Sequence, residues 1–281
     1  MRAVMHKRMA GLSLVELMIS MVLGVVVMGA AFAVFLSNRN TFTANEGVGR
    51  IQESARVAFE LMSRDVRAAG GSACSNMSVV EATNAASVAF MDTPITGGAN
   101  TLTVLSGDDA AYRITSSTPT TVTLDPSEID DANDIFETGD LLLLCNARKT
   151  FVVSAAAVTP TTVSFASLPG GYDPMGDEFA PPAAVVLAGF RDVTWSVGAN
   201  TRGGSSLWVS RGGGAPEEVA EGVTALGFEY LENGGATYTS APNWANVIAV
   251  RISMTLVGAD IDGEELTRTV SNVVSIRSRT L

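Results

Sequence analysis

The chain has 281 residues, a formal net charge of −11 and a single histidine, and 47% of its residues are hydrophobic. A chain this acidic, with no basic patch, is a poor general nucleic-acid binder, so we expect no direct nucleic-acid binding. The one histidine, His6, lies in a short basic N-terminal leader. Once the leader is removed, Ser-His-Asp and Cys-His catalysis and histidine zinc sites are excluded. We therefore expect a protein that is not an enzyme and needs no cofactor or metal.

The first forty residues predict a membrane segment. Residues 1–11 form the leader, Glu16 follows it, and residues 17–36 carry no charge. Twenty residues in a helix span about 30 Å, the thickness of a bilayer core. Lys7 and Arg8 before the span favour a cytoplasmic N-terminus, with the remainder of the chain in the periplasm.

The cleavage site is predicted to precede the apolar span, because no Ala-x-Ala-like site follows it. The segment from Gly11 to Met18, Gly-Leu-Ser-Leu-Val-Glu-Leu-Met, resembles the class III signal of type IV pilins and type II secretion pseudopilins. The resemblance implies that prepilin peptidase cuts after Gly11 and methylates the new N-terminus at Leu12, where Phe is usual. The alternative is a plain signal anchor, in which Gly11 and Glu16 have no special role.

Glu16 is costly beside lipid and needs a partner. Cleavage after Gly11 creates an ammonium at Leu12, and pairing Glu16 with that amine of a neighbouring subunit offsets the desolvation of both charges. The family resemblance implies the same role in subunit assembly. The alternative is that Glu16 only caps the start of a helix.

One long helix is predicted over residues 12–70. After the apolar span, apolar residues recur every three or four positions, which is typical of a helix with one buried face. They are Val48, Ile51, Ala55, Ala58, Phe59, Met62, Val66 and Ala69. Gly70 and Gly71 predict its end. Within the span, Gly24 allows either close helix packing or local unwinding during assembly.

Residues 71–281 are predicted to form one periplasmic or extracellular β domain, rich in antiparallel strands. The predicted strands are 102–105, 112–115, 121–124, 141–145, 150–154, 162–165, 184–187, 193–197, 207–210, 226–230, 247–257 and 266–276. Residues 258–263 are predicted to form the last turn. The fold class is therefore α+β. The related segments 118–124 and 159–165 each begin Thr-Pro-Thr-Thr-Val, which favours shared turn chemistry over duplication.

Several later segments sharpen the resemblance to the PilW-type minor pilins, and the J-type secretion pseudopilin shares much of this plan. The segments are Glu46–Ala69, Gly139–Leu144, Val250–Leu256 and Asn272–Arg277. The resemblance implies a pilin fold, in which the long helix packs on the β domain. It also implies insertion in the inner membrane, partnership with major and minor pilins and the inner-membrane assembly machinery, and transfer to a type IV pilus at the cell surface.

Two alternative functions remain open. One is a minor pseudopilin of type II secretion. The other is an anchored periplasmic binding or adhesive module that never polymerises, which predicts that Gly11 is not cleaved.

Cys74 and Cys145 are the two cysteines of the chain. In an oxidising periplasm they can form a disulfide, and the alternative is two buried thiols. We expect the disulfide.

Two further groups of residues are candidate binding sites. The carboxylates between Asp125 and Asp140 can bind calcium or form a solvated loop, and the irregular spacing favours the loop. The aromatic residues Trp195, Trp208, Trp244, Tyr230 and Tyr238 can form a ligand surface, but packing in the core or sheet is the more common role.

Overall fold

The computed structural model describes residues 13–75, 78–166, 169, 171–173, 184–261 and 264–280. Gly11 and Leu12, the predicted cleavage pair, lie outside these residues. The chain divides into two compact units, one of residues 1–50 with 258–266 and the other of residues 51–257 with 267–281.

The predicted long helix is present as α1 (Leu14–Ala68). In the first unit its apolar side chains, from Leu14 to Leu36, are exposed. In the second unit a buried stripe runs along the helix, as its three-four spacing predicts. The stripe consists of Ile51, Ala55, Ala58, Met62 and Val66, and Ala69 continues it beyond the helix end. Gly70 ends the helix in a left-handed conformation with φ of +64°.

The second unit is rich in antiparallel strands, and it also contains a short helix, α2 (Ala85–Asp92), that the sequence analysis did not predict. The strands of the described chain, some of which extend into the first unit, are β1 (Val79–Val80), β2 (Ile95–Gly97), β3 (Thr101–Ser117), β4 (Thr121–Leu124), β5 (Leu141–Cys145), β6 (Lys149–Val158), β7 (Thr162–Phe165), β8 (Val186–Ala199), β9 (Ser205–Arg211), β10 (Glu217–Glu221), β11 (Val223–Glu232), β12 (Tyr238–Thr239), β13 (Val247–Ile261) and β14 (Glu264–Ser275).

Six of these strands close into a small barrel. Antiparallel pairings lead from β3 to β4, β7, β6, β5 and β8, and β8 pairs back with β3. Inward and outward side chains alternate along each strand. Leu142 and Leu144 therefore face the barrel core beside Phe151 and Phe165. Leu143, between them, packs outside the barrel in a second cluster with Phe90 of α2.

The barrel contains a structural repeat. Ile114 pairs with Leu124 in one hairpin, and Ala155 pairs with Phe165 in the other, each residue 41 positions after its equivalent. A β-bulge follows Ile114 and another follows Ala155. The hydrogen bond from Leu124 N to Thr161 O is matched by one from Phe165 N to Thr120 O. The repeated register, bulge and cross-hairpin bond extend the similarity beyond shared turn chemistry.

The remaining strands complete two sheets. β9 and β10 extend the barrel sheet beyond β8, and β2 lies at the far side of β3. A separate sheet has the order β12-β11-β13-β14. The predicted turn at residues 258–263 is wrong in its extent, because β13 continues to Ile261 and β14 begins at Glu264. Residues 262–263 lie outside the described part of the chain.

Candidate assembly site and the anchor of the helix

The start of α1 is closed by a reciprocal pair of hydrogen bonds. The backbone N–H of Glu16 donates to Ser13 Oγ over 3.2 Å, and the backbone N–H of Ser13 donates to Glu16 Oε2 over 3.3 Å. This is a capping box, which satisfies two N–H groups that a helix start otherwise leaves without partners. Glu16 therefore has the capping role that the sequence analysis raised as an alternative. Its pairing with a neighbour's amine requires a second chain and stays a prediction.

The helix runs unbroken past Gly24 and Gly29. A Cβ added at either glycine would have no atom within 4 Å. No contact among the described residues therefore demands glycine at these positions. Packing against other helices and unwinding during assembly both stay predictions for Gly24.

Asp65 fastens the buried face of α1 to β8. Trp195 Nε1 donates to Asp65 Oδ2 over 3.0 Å, and Arg191 Nη2 donates to Asp65 Oδ1 over 3.2 Å. Burial raises the pKa of the Asp65 carboxyl, and the hydrogen bond from Trp195 and the positive charge of Arg191 offset part of this rise. Apolar periodicity alone did not predict this role, although an acid beside Met62 and Val66 in an apolar stripe was a usable signal.

A disulfide joins the segment after α1 to the end of β5. The Cα atoms of Cys74 and Cys145 are 6.0 Å apart, and the bond closes a sequence separation of 71 residues. The bond links the segment that follows α1 to the barrel wall, and it confirms the predicted disulfide.

The C-terminal residues close two helix ends. Ser278 Oγ donates to Ala69 O over 2.7 Å at the end of α1. Arg279 Nη2 donates to the carbonyls of Met91 and Asp92, over 3.0 and 2.7 Å, at the end of α2. Its Nη1 donates to Trp244 O over 3.3 Å. The bonds to Ala69, Met91 and Asp92 satisfy carbonyls at the ends of α1 and α2 that have no partner within their own helix.

In the acidic segment between Asp125 and Asp140, several carboxylates accept hydrogen bonds from residues of the same segment. Asp125 accepts from both N and Oγ of Ser127, which lowers its pKa. Asp131 Oδ1 accepts from the N–H of Asn133 at the start of a 3₁₀ turn. Within the described residues, no three Asp, Glu, His or Cys side chains are grouped as metal ligands.

The five predicted aromatic residues do not form one surface. Trp195 is buried and bonded to Asp65. Tyr230 is also buried, and its ring centroid lies 4.9 Å from that of Trp244. Trp208 donates to Gly198 O over 3.2 Å. The Arg251 guanidinium lies 3.9 Å from the Tyr238 ring centroid. These contacts are the packing roles that the sequence analysis favoured.

Comparison with known proteins gives one match. The prokaryotic N-terminal methylation motif matches residues 6–32. No curated protein and no solved structure matches the chain. Among the described residues, one helix, Leu14–Ala68, is long and apolar enough to cross a membrane. The motif supports a protein of pilin or pseudopilin type that prepilin peptidase processes, and the motif and the helix together support a membrane anchor.

Proposed function

We propose that the chain is a PilW-type minor pilin that is incorporated into a type IV pilus or primes its assembly. Prepilin peptidase cuts between Gly11 and Leu12 and methylates Leu12. The mature subunit waits in the inner membrane, crossing it once with its N-terminus on the cytoplasmic side, until the assembly machinery transfers it to the fibre. There it serves adhesion, twitching motility or DNA uptake as a structural, non-enzymatic subunit.

The observation that carries the proposal is the methylation motif at residues 6–32, which runs into the solvent-exposed apolar part of α1. Met21, Met28 and Phe32 are each about 70% exposed along it. An apolar surface of this size needs lipid or other apolar helices around it. A subunit that moves from a membrane to a helical fibre meets both in turn.

Co-expression with a prepilin peptidase tests the proposal. We expect the mass of the mature protein to correspond to a chain that begins at N-methylated Leu12. An intact Met1, or a cut after Leu36, contradicts processing of this kind and favours the anchored, non-polymerising module.

A minor pseudopilin of type II secretion is the second candidate, because the same motif begins both kinds of subunit. Deleting the gene distinguishes the two. Loss of surface pili with normal protein secretion supports the minor pilin, whereas loss of secretion with normal pili supports the pseudopilin.

A further inference from the structure

A cavity of about 460 Å³ opens beside β8, where one neighbouring strand ends and the next begins. β5 pairs with β8 up to Gly189, and β9 begins its pairing at Val193. Phe190 and Arg191 therefore have neither strand along this edge, and Asp192 O accepts from the N–H of Gly212 directly after β9 over 2.8 Å. We call this cavity the β8 notch. Its volume lies in the range of about 300–1,000 Å³ that is usual for small-ligand sites.

Aromatic and aliphatic side chains form much of the wall of the β8 notch. Tyr112, Phe136 and Phe190 are among its lining residues, and the rings of Tyr112 and Phe136 meet edge to face at 5.7 Å between centroids. Ile135 and Leu141, which also line the notch, are 44% and 37% exposed. An apolar wall that remains open to solvent is suited to the flat or extended stem of a ligand, and ring faces attract cations.

The charged groups of the notch are mostly acidic, and the carboxylate of Asp192 has no hydrogen-bond or ion-pair partner in the part of the chain that the structure describes. Asp108 Oδ1 accepts from the N–H of Asp109 over 2.7 Å, and Asp140 Oδ2 accepts from the N–H of Glu137 over 2.8 Å. Asp192 is partly buried, and no group among the described residues donates to its carboxylate. Burial alone raises the pKa of Asp192, with no cation offsetting it.

The cation nearest in sequence does not serve Asp192. Arg191 also lines the notch, but its guanidinium donates to Asp65 of α1 over 3.2 Å. The carboxylates of the notch are likewise not grouped as a metal site within the described residues. The Asp192 carboxylate, which no cation among the described residues neutralises, therefore suits an organic cation. Such a group carries one positive charge and is larger than a metal ion, so the aromatic residues of the notch can contact it.

We propose that the β8 notch binds an organic cation, an alkylammonium or a guanidinium group, with Asp192 as its ion-pair partner and the ring of Phe190, two residues away on the same face of β8, beside it. This role is additional to assembly. The cation belongs either to a free amine or to a Lys or Arg side chain of a neighbouring protein, since both present the same chemistry to the notch.

Calorimetric titration of the full-length protein in detergent tests the binding. Putrescine and agmatine are the free-amine probes, and 1,4-butanediol is the uncharged control. The peptide acetyl-Gly-Arg-Gly-amide represents a protein side chain, with acetyl-Gly-Gln-Gly-amide as its control. We expect saturable 1:1 binding of at least one cationic probe and none of its neutral counterpart. Tighter binding of the amines identifies a free ligand, and tighter binding of the arginine peptide identifies a protein side chain.

Two variants locate the site. Asp192→Asn is expected to weaken binding at least tenfold. Asp134→Asn, which removes the same charge from an exposed position outside the notch, is expected to change affinity less than twofold. Ile135→Trp narrows the notch from its exposed rim without changing charge and is expected to abolish binding, which keeps the test valid if Asp192→Asn does not fold. Equal affinity of the wild type and a folded Asp192→Asn or Ile135→Trp variant, or no saturable binding of any cationic probe, overturns the proposal.

Discussion

Asp65 and Trp195 are in contact in the interior of the protein, where their solvent-exposed fractions are 7% and 0%. One comes from α1 and the other from β8, and the indole N–H donates to the carboxylate over 3.0 Å. A directional bond inside an apolar stripe selects one rotation of the helix against the sheet, which packing of Ala55, Ala58 and Val66 alone specifies less sharply. The second unit therefore has a polar anchor within its apolar interface.

Asp65→Ala is expected to lower the free energy of unfolding by about 2–3 kcal/mol, because it leaves the Trp195 N–H buried without an acceptor and removes the carboxylate from Arg191. Urea unfolding in detergent, followed by tryptophan fluorescence, measures the change. The exposed substitution Asp134→Ala is the control and is expected to remain within about 0.5 kcal/mol of the wild type. Equal stability of the two variants would remove the anchoring role.

The raised pKa of Asp65 predicts a particular pH dependence. The folded carboxyl keeps its proton to a higher pH than the unfolded one, so its contribution to stability is complete below the ordinary Asp pKa of about 4 and is lost as pH rises through the folded pKa. Asp65→Asn removes this titration while keeping an oxygen for Trp195. We therefore expect the wild type to lose stability relative to Asp65→Asn from about pH 4 upward. Unfolding free energies of both proteins between pH 3.5 and 7 check this, and parallel curves would contradict it.

The sequence predicted the parts of this structure that depend on local periodicity. The buried stripe from Ile51 to Val66 and the apolar span follow from spacing alone, and the disulfide follows from compartment and cysteine count. α2 was missed because its capping box pairs Asn84 with Ser87, without the Glu or Gln that usually marks such a box. The closure of the barrel by β3 and β8 depends on pairings between distant residues, such as Leu102 with Trp195, which no local pattern specifies.

The Cys74–Cys145 disulfide is expected to stabilise the second unit substantially. Closing a loop of this length contributes about 4 kcal/mol in the chain-entropy model, and measured values are often smaller. We expect the double substitution Cys74→Ala and Cys145→Ala to lower the free energy of unfolding by about 2–4 kcal/mol. Chemical denaturation measures this, and peptide mapping without reductant verifies the bond in the wild type. A double variant as stable as the wild type would show that the link does not constrain the unfolded chain.

Arg279 is expected to stabilise the end of α2 through its shape as well as its charge. Its planar guanidinium reaches the carbonyls of Met91, Asp92 and Trp244 together, whereas a lysine ammonium offers one compact donor group. We expect Arg279→Lys to lower stability by about 1–2 kcal/mol and to speed hydrogen exchange in the last turn of α2. Arg277→Lys, at an exposed neighbouring position, is the control. Unchanged hydrogen exchange in α2 after Arg279→Lys would contradict the role of the planar guanidinium.

Glu16 has two candidate roles, and the capping box allows them to be separated. Glutamine can replace glutamate in such a box, so Glu16→Gln keeps the bond to the Ser13 N–H but removes the charge. Ser13→Ala does the reverse, since it removes the acceptor for the Glu16 N–H but keeps the carboxylate. If assembly depends on pairing with the Leu12 amine of a neighbour, Glu16→Gln should be processed normally and enter filaments at least tenfold less, whereas Ser13→Ala should enter them almost as the wild type does.

Immunoblots of sheared pili against whole-cell protein measure incorporation, and Glu53→Gln in the same helix controls for loss of one negative charge. Normal incorporation of Glu16→Gln, with loss in Ser13→Ala, would leave capping as the sole function of this carboxylate, because the helix start would then matter and the charge would not.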